Sequence, residues 1–484
     1  MLRSSTGYIK FFLQTSLCSL YAFHAILKTS RRDYRFCSLA QYVSGDGLLR
    51  KLHRLGFLSL LFVCPATSTL LAGQAPVSAA AQAASQPSTA GPAFSWQQIQ
   101  DRFQQSNPTL RAGAIGIDES RAQEITAHLR PNPTLTLFAD QFTLFHSPLQ
   151  PVANLYPDVT FNYLHERDHK RELRTDSAKA GTEISTSNQA DLLRNLNYAL
   201  RAAFVQVLQS KAIQALTKEN LGYYDHVLQV SRDRFHAGDI AQVDLDRLEL
   251  GRVQYEADFE AADVNLRTSK IQLLQLLNDR TPVDTFDVTG PFAFQDALQP
   301  LETYHQTALM VRPDLRAATQ VVDKARIDHR LAIANGSTDP TFGVDAAHQP
   351  NPLNSYVGLS VTFPLRIFDR NQGEKQRTLL DIDLQQRQLD AATAQVFADV
   401  DSSYATVDSQ LHLLRPYKDK YLNLAVSARD TISFSYQHGG ASLLDFLQAE
   451  NDYRGIQLGY LNLVGAYLTA AAQMNQAVGR EVLQ

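Results

Sequence analysis

The sequence predicts a mainly helical chain, built twice over, with a β-barrel part to which each protomer contributes four strands. Three observations predict it: an internal duplication, short strands that alternate apolar and polar residues, and helical seams longer than any ordinary globular helix. The duplication comes first because it fixes the boundaries. Phe235-His236-Ala237-Gly238 is followed by Asp244 and Glu249, and Tyr436-Gln437-His438-Gly439 by Asp445 and Glu450, each pair 201 positions apart. Val243 matches Leu444, and Asn278 matches Gly479. Upstream, Asn107-Pro108-Thr109-Leu110-Arg111-Ala112 mirrors Arg312-Pro313-Asp314-Leu315-Arg316-Ala317. Asn132-Pro133-Thr134 mirrors Asp339-Pro340-Thr341, and Val159-Thr160-Phe161 mirrors Val361-Thr362-Phe363. The chain therefore divides into an extension and signal segment (1–75), a linker (76–93), a first repeat (94–280), a joining linker (281–300) and a second repeat (301–484).

The N-terminal segment reads as an address. Arg50-Lys51-Leu52-His53-Arg54 supplies positive charge, Leu55 to Val63 an apolar run, and Gly73-Gln74-Ala75 the small residues of a cleavage site. Lipidation of Cys64 is the alternative, although Leu61-Phe62-Val63 lacks the usual small residues. Residues 1–45 precede this signal without pattern, and an over-extended start is the hypothesis that accounts for them. An Ala/Ser/Gln/Pro-rich linker follows. The three cysteines, Cys18, Cys37 and Cys64, all precede it, which excludes a thiolate site or disulfide framework from the repeats. After Ala75 no run of about twenty apolar residues exists, so a membrane crossing here requires a β-barrel. The net charge of −4 shows no basic patch for nucleic acid.

Each repeat is expected to contain a helix beginning at its Asn-Pro or Arg-Pro boundary, two short strands, and two long helices that turn at a glycine. Val357, Leu359, Val361 and Phe363 alternate against Tyr356, Gly358, Ser360 and Thr362. Phe342, Val344 and Ala346 alternate against Gly343 and Asp345, and Val159, Phe161 and Tyr163 against Thr160 and Asn162. The first strand, about 134–145, changes phase near Asp140, as at a bulge. Alternation alone fits a soluble half-buried sheet as well as a barrel. The helices decide. Leu193, Leu196, Leu200, Ala203 and Val207 step by three and four, as do Tyr255, Phe259, Ala262 and Leu266, and Val400, Tyr404, Val407, Leu411 and Leu414. Pro416 interrupts the last seam and should kink or divide it. Four strands cannot close a membrane barrel, since single-chain barrels need about eight or more. Three protomers would supply twelve.

These residues resemble those of the TolC-like outer-membrane efflux family across about 94–479. The resemblance implies a homotrimer in the outer membrane: a twelve-stranded barrel among outer-membrane lipids, continued by a coiled-coil α-barrel through the periplasm. It implies docking on a periplasmic membrane-fusion adaptor and an inner-membrane pump of the RND type. The run Phe363-Pro364-Leu365-Arg366-Ile367-Phe368-Asp369-Arg370-Asn371-Gln372-Gly373 is similar to the heavy-metal (cobalt–zinc–cadmium) branch. In that strand-to-helix corner Pro364 ends the strand, Asp369 or Asn371 can cap the helix, and Gly373 permits close approach, with Phe368 and Arg370 completing it. By the same resemblance Phe235, Gly238, Asp239, Tyr436, Gly439 and Gly440 would meet adaptor hairpins, against the plainer reading of a simple turn. Asp244, Tyr436 and Asp445 would form the pore aperture. The arginine of the best-studied member's latch is Ala441 here, and its second ring aspartate is Gln448, so that latch cannot form. Asp445 could instead serve only the start of its helix.

No His-Glu-x-x-His, Gly-x-Ser-x-Gly or Walker motif occurs, so no enzyme constellation, cofactor or metal site is assigned. His165-Glu166-Arg167-Asp168-His169 reads as a solvated corner. A rival of another class is a periplasmic coiled-coil scaffold or adhesion protein, which leaves the paired strands unexplained. Drug or protein cargo remains open beside metal.

Overall fold

A computed structural model describes residues 93–483 apart from 141–142, 148–149, 154–155 and 349–354. The signal segment, Cys64 and the linker before Ala93 lie outside the described residues. Strand β1 (Ala93–Phe94) leads into α1 (Trp96–Ser106). Ser95 and Gln98 cap that helix reciprocally, each side chain accepting the other's backbone N–H. Then come α2 (Pro108–His128), β2 (Thr134–Asp140), β3 (Thr143–Ser147), β4 (Gln150–Ala153) and β5 (Tyr156–Leu164). A hairpin of α3 (Lys170–Ala237) and α4 (Gln242–Leu276) closes the first repeat, and β6 (Asp287–Val288) begins the passage to the second. The second repeat holds α5 (Leu301–Val311), α6 (Pro313–Ala334), β7 (Thr341–Ala347), β8 (Tyr356–Thr362), α7 (Gln372–Pro416), α8 (Leu422–Gln437) and α9 (Leu443–Val478). A π-helical turn, Tyr417–Tyr421, joins α7 to α8. The 68 residues of α3 rise about 100 Å.

Two short helices, α1 and α5, were not expected. Each ends where the chain meets its proline, and the residue before that proline does structural work. Asn107 Nδ2 donates to the Leu276 carbonyl (3.0 Å), and Arg312 Nη1 donates to the Ala477 carbonyl (3.1 Å). Those carbonyls are repeat equivalents at the end of α4 and α9, so unlike side chains make one contact. Asn107 also accepts the N–H groups of Thr109 and Leu110. Arg312 also pairs with Asp314 (2.6 Å) and Asp399 (2.9 Å).

The strand expected over 134–145 stops at Asp140. Its phase changes there because its partner changes: β2 pairs with β5, whereas β3 turns back on β4 as a separate hairpin. The main sheet is antiparallel in the order β2-β5-β7-β8. Its register stacks like with like. Leu135, Phe161, Val344 and Leu359 form one cross-strand row, and Leu137, Val159, Ala346 and Val357 another. Thr136, Thr160, Asp345 and Gly358 form a row on the opposite face. A Cβ at Gly358 would lie 2.6 Å from the Asp345 carboxylate, so glycine makes room for that side chain.

Apolar packing sits in three places. One core joins α1, α3 and α4 with Phe286 and Val288 (Ile99, Phe103, Leu200, Phe204, Leu273). Its counterpart joins α5, α7 and α9 (Tyr304, Val400, Val407, Leu411, Tyr467). Side chains of this size contribute about 1.5–3 kcal/mol each on full burial. The expected linker at 281–300 is tied into the first core: β6 pairs in parallel with β1, and Phe286 and Val288 are fully buried. The third core lies at the hairpin tips and joins the two repeats.

Candidate functional site

The tips are built by the same backbone device twice. Gly238 (φ 82°) and Gly439 (φ 76°) occupy the left-handed region, which an L side chain enters only with strain. Asp239 N–H then donates to the Arg234 carbonyl (2.9 Å) and Gly440 N–H to the Ser435 carbonyl (2.7 Å), closing both helices alike. Gly440 itself needs no special conformation, and Asp239 fills the same place in the first tip. Gly238, Asp239, Gly439 and Gly440 are exposed. So are Val243 and Leu444, two matched apolar side chains beside them.

Phe235 and Tyr436, also repeat equivalents, turn the other way, into the tip core. Tyr436 is 8% exposed and stacks on Phe446 with ring centroids 5.0 Å apart, while the Arg234 guanidinium lies 5.5 Å from its ring. Burial pushes its phenol pKa up. Asp244 and Asp445 both sit in the first turn of the second tip helix. Asp445 accepts from the Ser442 hydroxyl (2.7 Å) and N–H (3.2 Å), and those bonds hold its carboxyl below the usual range. Asp244 faces Arg247 at 3.9 Å. Ala441 packs against the tip core and Gln448 donates to Asp452, so neither completes a latch.

The corner after β8 is fixed by Asn371 rather than by its glycine. Asn371 adopts φ 59°, donates from Nδ2 to the Ala332 carbonyl (2.8 Å), and gives its N–H to Asp369 (2.8 Å). It caps α7 by backbone placement only, with no side-chain bond to the helix. Gly373 has nothing near where its Cβ would be, so the expected close approach is not made. Phe368 stands 89% exposed, with Leu365 and Ile367 beside it, and Pro364 and Arg370 are exposed too. The first-repeat corner shares the strain, at Asp168 (φ 55°) and His169 (φ 57°), and Glu166 is held there by Arg174. Among the described residues no group of three or more His, Cys, Asp or Glu side chains gathers as for a metal ion.

The apolar rows of the sheet are exposed, Leu359 at 83%. Among the described residues both edges, β2 and β8, lack a partner strand. Along α4, Val243, Leu250, Ala257, Val264 and Ile271 recur every seven residues, all exposed. No described helix is long and apolar enough to cross a membrane.

Sequence reasoning missed Glu450 as more than a landmark. It is 4% exposed, among the tip aromatics. Burial pushes its carboxyl up to about 7, against a smaller opposing pull from Arg429 and a bond from Tyr223. The signal was present: Phe446 and Tyr453 mark the buried face of α9, and 450 lies between them. Its counterpart Glu249 is exposed and paired with Arg232 at 2.9 Å.

The family profile described as "Outer membrane efflux protein" matches residues 305–480. The chain is 22% identical over 388 residues to the cobalt-zinc-cadmium resistance protein CzcC of Cupriavidus metallidurans, covering 78% of this chain and 87% of that one. It is 21% identical over 321 residues to the outer membrane efflux protein BepC of Brucella suis, covering 64% and 69%. The crystal structure of CusC superposes with a TM-score of 0.69 at 15% identity, over 79% of this chain and 92% of that one. The resemblance to outer-membrane efflux proteins, and the mainly helical fold with a few antiparallel strands, are borne out.

Proposed function

We propose, from the premise that the second repeat carries the outer membrane efflux protein match, that this chain is the outer-membrane channel subunit of a tripartite export system. It is a conduit and not an enzyme. One observation carries the reading: among the described residues a four-stranded sheet with an exposed apolar face and two unpaired edges stands on long helices, of which α3 rises about 100 Å. An apolar face in water is a liability, and an unpaired edge invites another strand. Both resolve if β8 of one copy pairs with β2 of the next and the apolar rows face lipid. Three copies give twelve strands, a number that encloses an aqueous lumen faced by Thr136, Thr160 and Asp345. The seven-residue stripe on α4 then packs on a neighbouring copy's helices, as a coiled-coil seam requires.

In this arrangement the tips lie at the periplasmic end. Gly238, Asp239, Gly439 and Gly440 face a membrane-fusion adaptor there, which links the channel to an inner-membrane pump. Asp244 and Asp445 ring the aperture. Tyr436 supports it from within the tip core. Metal cations are the favoured cargo, on the corner motif and the similarity to CzcC. Passage needs no tight site, because slow release would block transport.

The test is extraction of washed outer membranes with detergent, followed by mass measurement of the unheated particle. A heat-modifiable trimer is expected; a soluble monomer or dimer in the periplasmic fraction overturns the reading. Loss of the chain should then sensitise cells to cobalt, zinc or cadmium, whereas sensitivity to organic drugs alone would reassign the cargo.

A further inference from the structure

The two tip hairpins come from one duplicated sequence, yet they differ in construction. In the first repeat α3 runs unbroken to its tip. In the second, Pro416 has no N–H to give, Tyr417 N–H reaches back to the Leu414 carbonyl, and a π-helical turn follows in which no residue is buried. Opposite this joint α9 carries Gly459, against the Tyr417 ring. Helices bend at such places. The α8–α9 tip therefore hangs from a weak joint and is held to the first repeat by side chains.

Those side chains centre on Glu450. Arg429 of α8 stacks over Tyr453 of α9 (4.1 Å) and Tyr223 of α3 (5.3 Å), and it pairs with Asp430 at 2.8 Å. The Tyr223 hydroxyl meets the Ser433 hydroxyl of α8 at 2.9 Å across the seam between repeats. Tyr224 of α3 and Tyr255 of α4 complete the groups that feel the Glu450 charge, with Arg454 over the far ring of Tyr255. One oxygen of Glu450 accepts no hydrogen bond. An ionised carboxylate in that position is poorly solvated, while a neutral acid is tolerated.

We propose that Glu450 is a proton-operated latch: neutral, it lets the α8–α9 tip pack on α3, and ionised, it drives that seam to loosen about the π-helical joint. The inference concerns the tip alone and stands whatever the chain exports. The sign follows from burial. The packed seam favours the protonated acid, so the seam is tightest in mild acid and loosens as pH rises through about 7. The duplication supplies a control, because Glu249 is already exposed and ion-paired.

The experiment is hydrogen–deuterium exchange of the purified full chain in detergent between pH 6 and pH 8, corrected for the chemical exchange rate. Protection of residues 422–437 should fall about tenfold over that range, as linkage for a carboxyl titrating near 7 requires, while residues 464–478 stay constant. Glu450→Gln should keep the pH 6 protection at both pH values, and Glu249→Gln should follow the unsubstituted protein. A flat profile in the unsubstituted protein overturns the proposal without recourse to any variant. So does a Glu450→Gln profile that still falls tenfold.

Discussion

Single residues in this chain matter where geometry leaves no substitute. Gly238 and Gly439 hold φ values near +80° with open space around them, so strain rather than crowding sets the cost of replacement. Each Gly→Ala change should lose about 1–2 kcal/mol, read as a lowered denaturation midpoint of the detergent-solubilised protein. Arg312 is a larger stake. Its guanidinium is almost wholly buried between Asp314, Asp399 and the Ala477 carbonyl. Arg312→Met leaves two partly exposed carboxylates and the Ala477 carbonyl without their donor and should cost about 1–3 kcal/mol. Burial alone would raise the Asp314 carboxyl, but the bonds from Arg312 outweigh it and hold it below the usual range. That stabilisation is complete above the ordinary carboxylate pKa and is lost as pH falls through the lowered one. Acid unfolding of the Arg312→Met protein should accordingly lack that component, and an unchanged acid limb would show that the pair does not govern it.

At the scale of elements, the sheet and the broken helix make opposite demands. On the sheet, neighbouring positions of β8 face different surroundings. Leu359→Arg places a charge on the apolar rows and should cost about 2–4 kcal/mol in a bilayer, whereas Ser360→Arg, on the other face, should be tolerated. The yield of heat-modifiable particle from outer membranes distinguishes them, and equal losses would mean that the apolar face does not meet lipid. In the helix, Pro416→Ala restores a backbone donor and should slow exchange at residues 417–421. If the π turn persists with unchanged exchange, its cause lies in the packing of Tyr417 on Gly459 rather than in the proline.

For the whole molecule, the proposed trimer would use the exposed stripe on α4 and the open sheet edges, and so place part of the stability between copies. Leu250→Glu with Val264→Glu puts charges at two heptad positions and should convert the unheated particle to monomer at a lower temperature than the unsubstituted protein. A particle of undiminished thermal stability would locate the stripe away from any interface. The same view explains why the described residues, with no apolar helix long enough to cross a membrane, still present an exposed apolar surface.

Much of this architecture was legible in the sequence because it is periodic. The 201-residue offset located both glycine tips and the left-handed Asn278 and Gly479, and offsets a few residues longer located the paired strands, since each is a local backbone requirement repeated. Alternation gave the faces of β5, β7 and β8 because side chains on a strand have no other choice of side. What required the tertiary structure was every question of partner. Strand phase alone could not say that β2 would leave β5 at Asp140, nor that Asn107 and Arg312 would serve equivalent carbonyls through different chemistry. The repeat offset marked Glu450 and Tyr436 as equivalent positions, but only the docking of α8 and α9 on α3 buried them, because burial depends on residues more than two hundred positions away. By itself the sequence determined the local backbone and the side each residue faces. The tertiary structure decided which of those faces became dry, and therefore where a charge is costly.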